Sequence, residues 1–125
     1  MDIVYAPDPD GQPDPGEIVW GWVPYEDDVT QGKDRPLLII AREGESVIGL
    51  MLTSKDHDRD HAQEAREGRF WTDLGTGPWD RQGRVSEVRT NRFIRLDPHA
   101  VRREGAVLDE ARFNRIATEA RRHLD

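Results

Sequence analysis

Two apolar, β-prone segments joined by a short polar connection, Leu37–Ala41 and Val47–Thr53, constrain the fold of this chain most strongly. A five-residue connection that contains Gly44 is an ordinary length for a β-hairpin. If the turn centres on Gly44, opposed residues lie equally far from it in sequence, so Arg35 faces Thr53. Their Cβ atoms are then about 5 Å apart on one face of the ladder. A slip of one residue would send Thr53 to the other face.

Composition limits what else the chain can be. It has 125 residues, 35% hydrophobic and 34% charged, which predicts one domain with a small core or a dimer. It has no cysteine, and no apolar run approaches the roughly 20 residues of a membrane-spanning helix, so we expect no membrane association. Because the acidic start lacks the plan of a signal peptide, the cytoplasm is the expected location.

The charge distribution points in two directions. The formal net charge of −7 counts against non-specific attraction to nucleic acid. The acidic residues are concentrated in the first 14 residues and in Glu26–Asp28, whereas residues 81–103 carry a series of arginines. A locally cationic surface on an acidic protein is therefore compatible with the sequence.

The order of elements predicts the fold class. Residues 1–15, rich in Pro and Asp, are expected to form a flexible acidic arm that buries little, and residues 16–125 the folded domain. About five short strands precede a C-terminal helix whose apolar residues begin at Leu108 and end at Leu124. Asp97-Pro98 is expected to open a further short helix that Gly105 closes. We predict a mainly β (α+β) fold, a small SH3-like antiparallel barrel with a C-terminal helix.

Four segments in series resemble one family. Gly16–Trp20, Gln31-Gly32-x-x-Arg35-Pro36 with the apolar strand after it, the strand end Leu52-Thr53-Ser54, and Glu87–Asn91 are together similar to the PemK/MazF toxins of bacterial toxin–antitoxin pairs. The resemblance covers residues 16 to about 96. It implies a homodimeric barrel related to the CcdB gyrase poisons. It also implies cleavage of single-stranded RNA without a metal or other cofactor, and inhibition by a cognate antitoxin.

The resemblance also assigns residues. Arg35 and Thr53 occupy the family's catalytic positions. A guanidinium and a hydroxyl suit an RNA phosphate that is attacked by the 2′-hydroxyl of the adjacent ribose. Substrate contacts are expected from further residues at matching positions, namely Gln31, Gly32, Ser54, Arg89 and Asn91. Asn91 stands where some members have an Asp that works with the Arg in acid–base catalysis. Since an amide exchanges no proton near neutral pH, the catalytic load is expected to shift to Arg35 and Thr53.

Other interpretations of the same residues stay open. Arg35 at a strand entry could simply pair with Asp34 or another acid. His57 and His61, four residues apart, could hold a metal ion or form an acid–base couple. Glu26, Asp27 and Asp28 offer a rival base. Among the tryptophans, Trp20 is expected in the core, and Trp22 or Trp79 is the better base-stacking candidate.

Those interpretations lead to alternative functions. A non-catalytic interaction module or a gyrase-directed poison on the same barrel is the first, and the net charge and Asn91 favour it. A metal-dependent hydrolase that uses His57 and His61 ranks last.

Overall fold

A computed structural model of the chain describes residues 1–8, 11–54 and 60–124, except for the side chains of 103–105. Within these residues seven strands and two helices follow one another, with one 3₁₀ turn at Pro98–Ala100. The strands are β1 (Glu17–Pro24), β2 (Gly32–Glu43), β3 (Ser46–Thr53), β4 (Trp71–Gly75), β5 (Ser86–Arg89), β6 (Ile94–Leu96) and β7 (Arg102–Val107). The helices are α1 (His61–Arg66) and α2 (Glu110–Arg121). The prediction of a mainly β fold with a C-terminal helix is confirmed.

The strands form one antiparallel sheet that curls into a half-barrel, in the order β4-β5-β3-β2-β1-β7. β3 divides its outer edge between two partners. Its first half, Val47–Gly49, pairs with β6, and its last two residues, Leu52 and Thr53, pair with β5. The sheet changes partner at this point, so the end of β3 lies beside β5 and β4 rather than at a free edge.

The β2–β3 hairpin has the expected register but a different turn. Leu37 opposes Met51 and Ile39 opposes Gly49, which are equally distant from Gly44 as predicted. The connection is a two-residue turn, Gly44-Glu45, with a positive φ at the glycine alone, a pattern typical of a type II′ turn. A bulge between Ile39 and Ala41 adds one residue to β2 and restores the predicted pairing beyond it.

Two apolar clusters pack on the two faces of the sheet. The larger one joins the sheet to α2, where Phe113, Ile116, Ala117 and Ala120 are buried. The smaller one lies on the opposite face and includes Leu37, Ile39, Met51 and other residues of β1, β3 and β6. Because strand side chains alternate between faces, this opposite face is the one that also carries Thr53.

The α2 helix follows the predicted pattern at its start as well. Asp109 is its N-cap and accepts a hydrogen bond from the backbone N–H of Arg112 at 3.0 Å.

Among the described residues no helix is long and apolar enough to cross a membrane.

The predicted helix after Asp97 is wrong beyond its first turn. Asp97 caps the 3₁₀ turn as a Pro-first start predicts, but the chain then enters β7. Ala106 and Val107 pair with Ile18 and Glu17 of β1. Pairing along the edge of the sheet supplies hydrogen bonds that a short isolated helix would lack, and it overrides the local helix signal.

The N-terminal segment buries more than expected. Ile3 is 5% exposed and belongs to the larger core cluster, and Val4 donates its backbone N–H to Ile40 at 3.2 Å. The Tyr5 hydroxyl donates to the carbonyl of Leu108 at 2.7 Å. Single apolar side chains between acids and prolines are therefore enough to attach the segment to the domain. Its mobility stays a prediction.

Candidate functional site

The β2–β3 hairpin opens where its described ladder ends, at Leu37 and Met51. Beyond that point Arg35 pairs with Gly21 of β1, and Thr53 pairs with Glu87 of β5. Pro36, at the division, has no N–H to donate to a ladder. The two strands thus take different partners, and their side chains face a shared space instead of each other.

That space is a cavity of about 550 Å³, here called the main cavity. Arg35 and Thr53 line it from the two sides, together with Ser54. The other lining residues come from β1, the loop before β2, the start of β2, the segment before β5 and the start of β5, among them Trp20, Tyr25, Lys33, Asp80, Arg84 and Ser86. The structure therefore brings together the two predicted catalytic residues and one predicted substrate contact.

A second cavity of about 290 Å³, the side cavity, adjoins the first. Arg35 and Tyr25 line both. The side cavity adds three further arginines, Arg69, Arg89 and Arg92, and the ring of Trp71. Arg35 consequently lies at the junction between two spaces, where a phosphate could sit with a nucleoside on either side.

A third cavity of about 410 Å³, the outer cavity, also adjoins the main cavity. It shares Trp20, Asp34, Trp79, Asp80 and Arg84 with the main cavity and adds Arg81 and Arg102. The three cavities adjoin one another through shared residues and are together called the groove. Aromatic rings and guanidinium groups line the groove, a combination that suits single-stranded nucleic acid.

Acidic side chains balance much of this positive charge. Arg84 Nε donates to Asp80 at 2.8 Å, and Arg102 donates to Asp34 through two nitrogens. Burial alone would raise the pKa of Asp80, but hydrogen bonds from Arg84 and the Gln82 backbone, with the charge of Arg84, lower it below its usual value. Asp80 is thereby held ionised, which makes it a weak base.

Arg89 is the most buried of these arginines, at 3% exposed. It donates to Glu26 through both terminal nitrogens, at 2.5 and 3.1 Å, and through Nε to Asn91 Oδ1 at 2.6 Å. The hydrogen bond from Arg89 is the main reason that the pKa of Glu26 is lowered. The lowered pKa makes Glu26 a weak base. Its carboxylate accepts the hydrogen bonds of Arg89 that a phosphate would otherwise accept.

Asn91 makes structural hydrogen bonds with its whole amide. Its Oδ1 also accepts the backbone N–H of Phe70 at 3.1 Å, and its Nδ2 donates to the carbonyl of Gly68 at 2.8 Å. A carboxylate could accept both of the first two bonds but could not donate the third. Asn91 lines none of the three cavities described above.

Gln31 and Gly32 lie at the entry to β2, outside these cavities. The Gln31 side chain donates to Asp28 at 3.1 Å, within a loop that Asp28 closes. A Cβ on Gly32 would lie 2.5 Å from the Val23 carbonyl oxygen and 2.8 Å from the ring of Trp22. Only a residue without a Cβ leaves room here for the Trp22 ring. Contacts of either residue with substrate stay predictions.

The tryptophans are placed differently from expectation. Trp20, expected in the core, is half-buried and lines the main and outer cavities. Trp79 is 2% exposed and donates its indole N–H to Ser86 at 2.9 Å, but it also lines the main and outer cavities, so stacking on its ring stays a prediction. Trp22 is 60% exposed. The exposure of each tryptophan depends on which distant loops pack against it, and local sequence patterns do not predict such contacts.

His61 lies over the β5–β4 part of the sheet. Its Nε2 is 3.1 Å from Glu87 Oε1 and 4.0 Å from Asp73 Oδ1. His57, its predicted partner, lies outside the described residues. In the described part of the chain, His61, Asp73 and Glu87 are the residues placed to hold a metal ion.

The main cavity is also lined by residues that no sequence pattern marks, namely Tyr25, Arg84 and Ser86. Arg84 belongs to the arginine series noted above, but nothing in its spacing shows that it reaches the main cavity. A curled β sheet with an arginine and a threonine at a splayed hairpin end, beside further arginines, is an arrangement that suits an anionic ligand such as a phosphate.

Comparison with known families identifies the kind of protein more narrowly. A family model described as PemK-like, MazF-like toxin of type II toxin-antitoxin system matches residues 14–124. The match spans nearly the whole chain, and the chain belongs to this family of toxins. The resemblance seen in the sequence is confirmed. No curated protein matches the chain significantly.

Proposed function

We propose that this toxin is a metal-independent endoribonuclease that cleaves single-stranded RNA by attack of the 2′-hydroxyl on the adjacent phosphate. The 2′-oxygen forms a bond to phosphorus and gives up its proton to water, while the bond from phosphorus to the 5′-oxygen breaks and that oxygen takes a proton from water. The observation that carries the proposal is the meeting of Arg35 and Thr53 in the main cavity, at the splayed end of the hairpin. Family membership supplies the toxin role, and a toxin of a type II system has a protein antitoxin as partner.

Arg35 stabilises the transition state in this scheme. The phosphorane formed by 2′-attack carries extra negative charge on its non-bridging oxygens. A guanidinium presents forked donors and a fixed charge to such oxygens. The junction position of Arg35 between the main and side cavities fits a phosphate whose flanking nucleosides occupy the two spaces.

Thr53 orients the reacting group. It is 5% exposed and held on β3 by pairing with β5, so its hydroxyl has a fixed place. There it donates to a phosphate oxygen or holds the attacking 2′-hydroxyl. Ser54, the next residue, supplies a further hydroxyl in the same cavity. Proton transfer has no help from Asn91, whose amide is engaged elsewhere.

The rest of the groove binds the strand. Tyr25 is 38% exposed and borders both the main and side cavities, so it is placed to stack on a base beside the reacting phosphate. Arg89 contacts backbone phosphate when it exchanges Glu26 for the substrate. The predicted substrate contacts Gln31, Gly32 and Asn91 lie outside the three cavities, and we infer that they act by shaping the loops beside the groove. We further infer a homodimer, supported by family membership.

A cleavage assay tests the proposal. Purified protein is incubated with single-stranded RNA in excess chelator, beside Arg35→Ala and the matched control Arg95→Ala. Arg95, on β6, pairs with Glu43 of β2 and lines none of the three cavities. We expect cleavage by the wild type and R95A, and a loss of about 10²–10³-fold or more in R35A. Intact RNA with the wild type refutes the activity, whereas cleavage that survives R35A refutes the site alone.

A second candidate function is supported by the ion pairs of the groove. The acids bound to Arg84, Arg89 and Arg102 neutralise the cations that RNA would need. A non-catalytic interaction module, or a poison directed at gyrase, requires no phosphate site. Inhibition of gyrase supercoiling by a protein that leaves RNA intact would favour this function.

A further inference from the structure

Three side chains of metal-ligand type meet on the face of the β3–β5–β4 sheet that carries Thr53. The ligand atoms of His61, Asp73 and Glu87 all lie within 4.8 Å of one another. Strand register explains two of them, because Asp73 and Glu87 are direct partners across β4 and β5. The third is the first residue of α1, which Asp60 caps.

The electrostatics of this cluster favour a cation. Glu87 is 7% exposed, and a second carboxylate stands directly opposite it on the neighbouring strand. Like charges at directly opposed positions destabilise a sheet. A divalent cation at this point would accept electron pairs from both carboxylates and from the imidazole ring at once.

The distances suit a transition metal. Ligands about 2.0–2.1 Å from a tetrahedral zinc ion lie roughly 3.3 Å from one another. His61 Nε2 and Glu87 Oε1 are 3.1 Å apart, so they nearly have this spacing already. Asp73 Oδ1 is 4.0 Å from Nε2, somewhat beyond this spacing, and its side chain is 72% exposed and therefore able to adjust.

We propose that His61, Asp73 and Glu87 bind one divalent transition-metal ion of the zinc type, with water completing its coordination. The imidazole nitrogen selects such an ion over Mg²⁺ and Ca²⁺, which take oxygen ligands. The proposal is independent of RNA cleavage, since it rests on the three side chains alone.

Binding would attach α1 to the sheet. The helix has six residues, none of them buried. The Glu64 side chain accepts the indole N–H of Trp71 in β4 at 2.9 Å, and His61 at the start of the helix already lies 3.1 Å from Glu87 of β5. A metal ion would strengthen the link at the His61 end. Because Glu87 is also the cross-strand partner of Thr53, this link borders the main cavity.

Zinc titration tests the proposal. Chelator-treated, full-length protein is titrated with ZnCl₂ by calorimetry, and its melting temperature is measured with and without zinc. We expect one ion per chain and a rise in Tm of at least about 5 °C at a hundredfold excess over Kd. MgCl₂ should give neither.

Ligand variants and a histidine control decide the site. Asp73→Asn and His61→Ala change exposed or half-exposed side chains and are therefore expected to fold. Each should weaken zinc binding by roughly tenfold or more. His99→Ala removes an exposed histidine elsewhere and should bind as the wild type does. Absence of saturable binding by the wild type, or equal affinity in D73N, H61A and wild type, overturns the proposal.

Discussion

Removing the Asn91 side chain tests whether its amide organises the wall of the side cavity. Asn91 accepts from Arg89 Nε and from the Phe70 N–H, and it donates to the Gly68 carbonyl. Asn91→Ala removes all three bonds. It leaves the Arg89 guanidinium, which is 3% exposed, without one of its acceptors.

The expected cost follows from the character of each bond. The bond from a buried, charged donor contributes about 2 kcal/mol. The two neutral bonds, at groups that water can reach, contribute about 0.5 kcal/mol each. We therefore expect N91A to lower the free energy of unfolding by about 3 kcal/mol and Tm by roughly 10 °C. Asn91→Asp keeps both acceptor bonds and loses only the donor, so its cost should stay below about 1 kcal/mol.

Urea denaturation followed by tryptophan fluorescence measures these differences. Asn114→Ala is the matched control, because Asn114 is exposed on α2 and alanine suits a helix. Its effect should stay within about 0.5 kcal/mol. An N91A variant less than about 1 kcal/mol below the wild type would refute the structural role assigned to this amide.

Two further predictions concern the groove. Thr53→Val keeps the shape of a buried strand residue but removes its hydroxyl. The hydrogen bond lost to a charged phosphate is worth about 1.5–3 kcal/mol. Single-turnover RNA cleavage should therefore slow about 10- to 150-fold. Thr118→Val on α2 should cleave at the wild-type rate, and a T53V rate within twofold of it would remove Thr53 from catalysis. Because Arg89 lowers the folded-state pKa of Glu26, this carboxylate stabilises the fold above its ordinary pKa of 4.5, and the effect is lost as pH falls through the lowered folded value. The Tm advantage of the wild type over Glu26→Gln should therefore shrink from pH 7 to about pH 3, and a constant difference would contradict the pairing.

Local pattern was sufficient for some elements and misleading for others. The apolar spacing from Leu108 to Leu124 and the Asp109 cap predicted α2, because both signals act within one helix. The hairpin register was predicted through a turn of the wrong length. A bulge after Ile39, which has no sequence signature of its own, compensated for the difference.

The site shows the same division. Arg35 and Thr53 were placed together because they belong to one hairpin. Tyr25 and Arg84 reach the main cavity from loops more than 50 residues apart in sequence, and only the assembled sheet brings them together. The segment after Asp97 became a strand because β1 offered it a partner, a choice made by tertiary contact.

The turn of the β2–β3 hairpin lies far from its open end. The bulge in β2 stands between the Gly44-Glu45 turn and the ladder near Leu37, and about eight strand residues, roughly 25 Å, separate the turn from Arg35. The tip is exposed. It is therefore the position at which a fluorophore or an affinity tag can be inserted to follow this toxin without touching the groove.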